Sequence, residues 1–296
     1  MHTYFESVGF YHVNNTKSIE MLLRETVLHF DDRQVFQKDN GLYFGEFTKY
    51  FAEDMGLTVC GEFDEAGSFH PEHYYPFYHG KTISMKQLVD FEKRAADESC
   101  AGVCEDPRIG TTIIFYLTNT GEYMKRKNSD GIPDRALPVR FSALARKGTI
   151  LLPIFKTPQE EAEGIKLREK YLKMVSDARD GNEDAIEALT EDDMNNYNIL
   201  SKRVQKEDIL SIVDTYFQPY GVECDLYSVC GNVLSCKRVK NMYTDEWVWK
   251  MQIESCDVYF DLCINERRLE GVPSVGSRFR GLIWLQGQVD FSSLAN

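Results

Sequence analysis

The hydrophobic and polar positions fall into blocks, and the strongest block is residues 110–119. It is a continuous run of β-branched and aromatic residues with turn formers at both ends, which predicts a β-strand. Because successive positions are apolar, we expect both faces of this strand to be covered and place it at the centre of a sheet. The preceding segment, 100–109, is rich in turn formers and polar residues.

Upstream of this central strand the pattern changes period several times. Helical spacing after possible N-caps at 14–16 predicts a helix that ends near residue 28. Alternation over 42–63 predicts two strands joined by a turn. Prolines predict a loop over 64–81, and the apolar spacing of 82–96 predicts a second helix.

Downstream, the hydrophilic stretch 121–137 predicts a loop or hairpin arm. Val139–Ala145 and Thr149–Phe155 flank Arg146-Lys-Gly148, which predicts a β-hairpin. Charged residues with helical periodicity between 158 and 209 predict a helical hairpin.

The last segment, 210–296, is β-rich, with four to five predicted strands that suggest a small closed or half-closed barrel. Val275–Gly281 before an apolar strand is typical of OB-type barrels. The predicted fold class is therefore α+β: an N-terminal mixed or antiparallel sheet with helices, a helical hairpin, and a small OB-like C-terminal β-barrel. The predicted domains are 1–156, 157–209 (the helical hairpin linker) and 210–296.

Composition narrows the functional classes. The 296 residues carry a formal net charge of −13, which argues against binding to nucleic acid or to anionic membranes. No targeting segment or membrane-spanning run is visible, and the eight scattered cysteines are expected to be free thiols, so a cytoplasmic location is predicted.

Three longer segments carry a resemblance to a known family: Ala178–Leu189, Ile212–Asp225 and Phe279–Gly287. With Ala101–Cys104 and Ile114–Leu117, they resemble an uncharacterised family of about 300 residues from anaerobic Gram-positive (clostridial) bacteria, catalogued as a domain of unknown function. The resemblance implies a bacterial, intracellular protein and brings no activity and no functional residues.

Among nucleotide and hydrolase signatures, neither a P-loop, nor a dinucleotide fingerprint, nor a Gly-x-Ser-x-Gly elbow occurs. The richest polar and aromatic cluster is 69–79, and its candidate binding residues are His70, His73, Tyr74, Tyr75 and His79. It can be a packed aromatic loop, a loop that binds a ligand or partner, or a metal site completed by Cys60 or Cys104. We predict no metal and no cofactor.

A second group of candidate binding residues, Cys104, Asp106 and Arg108, precedes the central strand. Cys104 can be a structural thiol or a nucleophile, and Arg108 can hold a polar ligand or pair with a neighbouring acid. A shared pocket would require the 69–79 loop to fold over the start of the central strand.

A third possible surface lies in the C-terminal segment, where cationic and aromatic side chains cluster in the sequence. Acidic residues outnumber Lys and Arg between 221 and 296, so nucleic-acid binding is not expected there either. The members of the cluster are Lys237, Arg238, Lys240, Tyr243, Trp247, Trp249, Arg278 and Arg280.

The function predicted from the sequence is a non-catalytic binding or regulatory protein for a protein or a small ligand, and no catalytic residue is assigned. The alternative is a hydrolase or metal-assisted enzyme with its site between 69–79 and 100–109. Self-association stays open as well.

Overall fold

The computed structural model describes residues 2–38, 41–93, 99–106, 108–109, 111–129, 136–155, 157–191, 194 and 213–291. Within this part of the chain the fold is mixed α+β and is built on two sheets. No helix among these residues is both long enough and apolar enough to cross a membrane. The helices are a 3-10 helix over His2–Val8, α1 (Thr16–Leu28), α2 (Thr120–Ser129), α3 (Pro158–Arg179), a helix over 183–191 and a 3-10 turn over Glu266–Arg268.

Local capping explains where the predicted helices begin. The side chain of Asn15 accepts a hydrogen bond from the Ser18 backbone N–H at 2.9 Å, which starts α1. Thr157 and Glu160 form the same reciprocal arrangement before α3, with Pro158 at its first position. The predicted helices near residues 16–28 and 158–191 are confirmed, whereas 192–193 and 195–209 of the predicted helical hairpin lie outside the described residues.

The first sheet is an antiparallel meander of four strands in chain order. The predicted loop over 64–81 is wrong for most of its length, because residues 69–78 form the edge strand of this sheet. An edge strand tolerates Pro71 and Pro76 because one side of its backbone needs no ladder partner. The strands are β1 (Asp32–Gln37), β2 (Tyr43–Ala52), β3 (Met55–Phe63) and β4 (Phe69–Tyr78).

The second sheet has eleven strands in the described residues, and its main path runs β10-β11-β12-β13-β9-β15-β8-β7-β6. Because β11 also pairs with β15, the strands β9, β11, β12, β13 and β15 pair in a closed circuit, here called the five-strand circuit. All its pairings are antiparallel except that of β13 with β9. The strands are β5 (Met85–Gln87), β6 (Asp90–Lys93), β7 (Cys100–Asp106), β8 (Thr111–Leu117), β9 (Leu137–Leu151), β10 (Tyr216–Pro219), β11 (Leu226–Lys240), β12 (Trp247–Ser255), β13 (Val258–Asn265), β14 (Leu269–Glu270) and β15 (Arg278–Val289).

Strand β9 overturns the predicted hairpin around Arg146-Lys-Gly148. Residues 137–151 form one strand that pairs with β15 from end to end. The register passes from Leu282 opposite Lys147 to Ile283 opposite Ala145, so Arg146 is an extra residue on β9. The local turn signal is therefore a β-bulge, which bends a strand and redirects its side chains without ending it.

Two more predictions are corrected between the sheets. The predicted helix over 82–96 is wrong in its described part, 82–93, which contains the short strands β5 and β6, because Met85 pairs with Val139 of β9 and packs into the core; residues 94–96 lie outside the described residues. The predicted loop over 121–137 contains α2 over Thr120–Ser129. The central strand is confirmed as β8, which lies between β7 and β15.

The two faces of the five-strand circuit have different neighbours. One face carries a core formed by side chains from all five strands, among them Phe141, Val229, Ile253, Leu262 and Phe279. The opposite face carries, among others, Leu144, Val239, Val248, Cys263 and Trp284, and it packs against the N-terminal 3-10 helix and the first sheet. Strands from both predicted end domains share the second sheet, and the division of the chain into domains stays a prediction.

Candidate functional site

The predicted residues His70, His73, Tyr74 and Tyr75 lie on β4, and His79 directly follows this strand. His70 is exposed, and its Nε2 lies 2.8 Å from a carboxylate oxygen of Asp64. His79 forms a hydrogen bond of 3.0 Å with the Tyr50 hydroxyl through its Nδ1. Burial lowers the pKa of His79 to about 4, and its ring stacks on Phe77. His79 is therefore a neutral, packed side chain at physiological pH.

The rings of His73, Tyr74 and Tyr75 face aromatic neighbours. His73 stacks on Phe44, and Tyr74 stacks on Phe5 with the ring centroids 5.6 Å apart. Tyr75 is buried, contacts Tyr116, and donates a hydrogen bond to the Thr118 carbonyl at 3.3 Å. These contacts join β4 to the end of β8 and to the N-terminal helix.

Cys104, Asp106 and Arg108 lie together beside the start of β8. Burial raises the pKa of the Cys104 thiol to about 12, so it is protonated at neutral pH. The fully buried carboxylate of Asp106 accepts hydrogen bonds from Arg108 Nε at 2.9 Å and from a terminal guanidinium nitrogen at 2.5 Å. Arg108 also donates to the carbonyls of Asp257 and Ser84.

The structure does not bring the two predicted groups of site residues into contact. The side-chain partners of His70 and His79 belong to β2, β4 and the β3–β4 connection, whereas those of Arg108 belong to the second sheet and its turns. Among the described residues, no group of three or more His, Cys, Asp and Glu side chains could hold a metal ion. The binding role of these residues stays a prediction.

The cations of the predicted C-terminal surface differ in whether they have acidic partners. Lys237 pairs with Glu53 at 2.5 Å, Arg238 with Glu266 at 2.8 Å, and Lys240 with Asp245 at 2.7 Å. Arg278 is buried and donates to the carbonyls of Leu152, Val213 and Asp214. Arg280 is different: it is exposed and has no acidic partner among the described residues.

A cavity of about 340 Å³ lies where the N-terminal 3-10 helix meets β9, β11 and β15. We call it the Tyr4 cavity; its size falls in the lower part of the range of small-molecule pockets. It combines three basic side chains on one side with an apolar and aromatic wall. Its lining residues are Tyr4, Glu6, Arg146, Lys147, Tyr220, Leu226, Arg268, Leu282 and Ile283.

The basic residues of this cavity differ in how they are paired. Arg268 binds Glu6 in a two-point ion pair, with distances of 2.6 and 3.0 Å. Lys147 lies 3.3 Å from Glu270, and both side chains are largely exposed, so this pair is weak. The guanidinium of Arg146 has neither an ion pair nor a hydrogen bond within the described part of the chain.

Tyr4 supplies a neutral hydroxyl to the same cavity. Burial raises its pKa to about 12, and the positive charge of Arg146 opposes this shift. Its ring lies 5.3 Å from that of Trp284, whose indole N–H donates to Asp225 at 2.8 Å. The contact with Trp284 therefore helps to hold the ring of Tyr4 in the lining of the cavity, which also contains Arg146.

A second depression of about 300 Å³ adjoins the Tyr4 cavity and shares Lys147 and Leu282 with it. We call it the Arg280 depression, and we call the two together the basic groove. Arg280 donates to the Tyr216 hydroxyl at 3.3 Å. The depression is lined by Lys147, Gly148, Thr149, Ser228, Arg280, Gly281 and Leu282.

The sequence pointed to part of this groove. Arg280 belonged to the predicted cationic surface, but Tyr4, Arg146, Lys147 and Arg268 were missed. The available signal was Arg146-Lys-Gly148, where two cations coincide with a break in the apolar pattern. A β-bulge produces the same break, and bulges occur next to binding sites because they redirect side chains.

The described residues thus define a mixed α+β protein with a five-strand circuit and a basic groove on its outer surface. The chain belongs to the family described as "Domain of unknown function, E. rectale Gene description (DUF3881)", which matches residues 5–287. This confirms the resemblance to an uncharacterised family of this size. Neither the curated proteins nor the solved structures contain a match to the chain.

Proposed function

We propose that this protein is a non-catalytic binding protein for a small ligand that has an anionic group and an apolar body. The ligand occupies the Tyr4 cavity. The observation that carries this proposal is the unpaired guanidinium of Arg146 on a β-bulge, in a chain with a net charge of −13. Other cations of the same sheet, such as Lys237, Arg238 and Lys240, have acidic partners.

The residues that line the cavity can contact both the anionic group and the apolar body of such a ligand. A free guanidinium offers planar donors to a phosphate or a carboxylate, and the neutral Tyr4 hydroxyl adds a further donor. Leu226, Leu282 and Ile283 offer an apolar wall to the rest of the molecule. Neither His nor Cys is among the lining residues of the groove, so the groove offers no thiol nucleophile.

We further infer that the five-strand circuit is an OB-like barrel in which the last strand comes first in the chain. Strands β11, β12 and β13 follow one another as antiparallel neighbours, and β15 pairs with β11. Strand β9 lies between β15 and β13 and is parallel to β13. The third and fifth strands of OB-type barrels are parallel neighbours in the same way, which supports this interpretation.

The test is calorimetric titration with phenyl phosphate, inorganic phosphate and phenol. We expect phenyl phosphate to bind more tightly than either fragment, because it occupies both the cationic and the apolar side of the cavity. Arg146→Ala should weaken binding of phenyl phosphate about 10-fold or more, since hydrogen bonds to charged groups contribute roughly 1.5–3 kcal/mol.

The matched control is Lys86→Ala, which removes an exposed cation of the same sheet outside the groove. It should leave the affinity unchanged. If none of the three probes binds at low ionic strength, or if the two variants weaken binding equally, the proposal is wrong.

A further inference from the structure

The basic groove continues past the Tyr4 cavity, and its two parts follow the same three strands. The register places Arg280 of β15 opposite Thr149, and Leu282 two residues further along opposite Lys147. The bulge residue Arg146 comes next on β9, before Ala145 opposite Ile283. Along the strand direction the groove therefore presents Arg280, then Leu282 beside the weakly paired Lys147, and then Arg146.

The two arginines are alike in having no acidic partner. Arg146 has no polar partner within the described residues, and Arg280 has only the Tyr216 hydroxyl. Leu282 lies between them, lines both parts of the groove and is 38% exposed. At about 3.3–3.4 Å per residue along a strand, the cationic positions are roughly 7–10 Å apart.

We propose that the groove binds a small molecule with two separate phosphate groups carried on one sugar, of which a nucleoside 3′,5′-bisphosphate is an example. This rests on the function proposed above and names the ligand class for the same site. One phosphate contacts Arg146 in the Tyr4 cavity, the other contacts Arg280, and the nucleoside covers Leu282. A diphosphate, whose two phosphorus atoms share one oxygen, is too short to reach both arginines.

The charge and size of the groove favour a small ligand over a nucleic-acid strand. Glu6 and Glu270 stand at its rim and pair with Arg268 and Lys147, so the basic surface does not extend beyond the two free arginines. In a chain with a net charge of −13, a longer polyanion would meet repulsion on both sides.

The experiment compares two isomers, adenosine 3′,5′-bisphosphate and adenosine 5′-diphosphate, by calorimetric titration of the full chain. Because the fully ionised bisphosphate carries one more negative charge, the comparison is repeated with Lys86→Ala, which removes a cation outside the groove and should keep the preference, and with Arg280→Ala, which should abolish it. Adenosine 5′-monophosphate measures the contribution of a single phosphate. We expect the 3′,5′-bisphosphate to bind about 10-fold more tightly than the 5′-diphosphate, because only the former satisfies both guanidinium groups.

The variants separate the two cationic positions. Arg280→Ala should reduce binding of the 3′,5′-bisphosphate to the level of the monophosphate and leave the monophosphate unaffected. Arg146→Ala should weaken binding of both ligands. Arg280→Lys should keep part of the difference in affinity between the bisphosphate and the monophosphate. Tyr216→Phe, which removes only the hydroxyl that Arg280 contacts, should keep all of this difference. Arg280 is exposed, and an unchanged circular dichroism spectrum will confirm that the variants fold.

The outcomes are distinguishable. If the monophosphate binds and the two isomers bind equally, the second anion position is wrong and the proposed function stands. If none of the nucleotides binds and phenyl phosphate does not bind either, the proposed function is wrong as well. If affinity for oligothymidylates keeps rising with length beyond a dinucleotide, the surface is a nucleic-acid site and the proposal of a small ligand is overturned.

Discussion

Two cationic regions of the second sheet differ in whether their charges have acidic partners. On β11 and β12, Lys237 and Lys250 bind Glu53 and Asp54 at the β2–β3 turn, together with Lys81. On β9 and β15, Arg146 and Arg280 have no acidic partner within the described residues. The first region joins the two sheets, whereas the second leaves its charge available.

The difference separates structural charge from binding charge. The hydrogen bond from Lys250 lowers the pKa of Asp54 despite partial burial of that carboxylate, which shows that the acid is held in its charged form by its partners. A cation that already holds an acid has little left to offer a ligand. Arg146, by contrast, lies beside the apolar wall of the Tyr4 cavity, where an anion would be partly shielded from water.

The most strongly structural cation should be Arg108. Arg108→Ala leaves the fully buried carboxylate of Asp106 without its ion-pair partner and should reduce the free energy of unfolding by about 3–5 kcal/mol, measured by urea denaturation. The free energy of unfolding should fall less in the double variant Asp106→Asn/Arg108→Met, because this variant leaves no unpaired charge buried. Equal losses in the single and the double variant would contradict this assignment.

Buried negative charge extends the comparison. Burial raises the pKa of Glu46 to about 7, and the Gly121 N–H, which donates to its carboxylate at 3.2 Å, only partly opposes the shift. The folded protein then binds a proton more readily than the unfolded chain, so the contribution of Glu46 to stability falls as pH rises from about 4.5 to 7. The free energy of unfolding of Glu46→Gln, measured relative to that of the wild type, should therefore increase by on the order of 2–3 kcal/mol between pH 4.5 and pH 8.

Urea denaturation at several pH values measures this difference. Glu65→Gln, in the exposed connection between β3 and β4, provides the control for the loss of one carboxylate of the first sheet. A flat difference between Glu46→Gln and the wild type across this range would show that Glu46 titrates normally.

A smaller effect is expected at the junction of the two sheets. Lys250→Ala removes a mostly buried ammonium group that bonds Asp54 at 2.7 Å, and it should reduce the free energy of unfolding by about 1 kcal/mol. Lys240→Ala, which breaks an exposed pair with Asp245, should change it by less than about 0.5 kcal/mol. Equal losses from both substitutions would remove the distinction between the junction and an ordinary surface ion pair.

The smallest effect on stability should come from the groove itself. Arg146→Ala should change the free energy of unfolding by no more than about 0.5 kcal/mol in the absence of ligand, because the guanidinium makes no contact that folding depends on. Thermal unfolding without ligand provides the measurement. A loss as large as that of Lys250→Ala would show that Arg146 is structural and would weaken the comparison.

The local sequence pattern predicted several helices and strands correctly, because in these segments the local sequence favours the same structure as the packing around them. The apolar run that became β8 has the composition of a covered strand. The helices α1 and α3 start at recognisable caps. The predictions are wrong where a partner strand from another part of the sequence determines the structure. Residues 69–78, for example, form a strand because they pair with β3, although they contain two prolines.

The groove depended on a pairing that has no local signal. Strand β9 is held by β15 and β13, which come from the other end of the chain, and the bulge at Arg146 exists only because β15 continues past it. The Arg-Lys-Gly signal was therefore real, but its position between two halves of one strand could not be deduced from the neighbouring residues. Tyr4 is equally distant in sequence from the arginine beside it.

The parallel pairing of β9 with β13 has a consequence for the synthesis of the protein. On the ribosome β9 emerges long before β13 and β15. Among the described residues its only earlier strand partner is the three-residue strand β5, so most of this apolar strand is unpaired while its long partners are still being made. The five-strand circuit can close only after translation of β15. Shortened chains that end before β15 should therefore aggregate, and the early strand should depend on a holding chaperone until its last partner arrives.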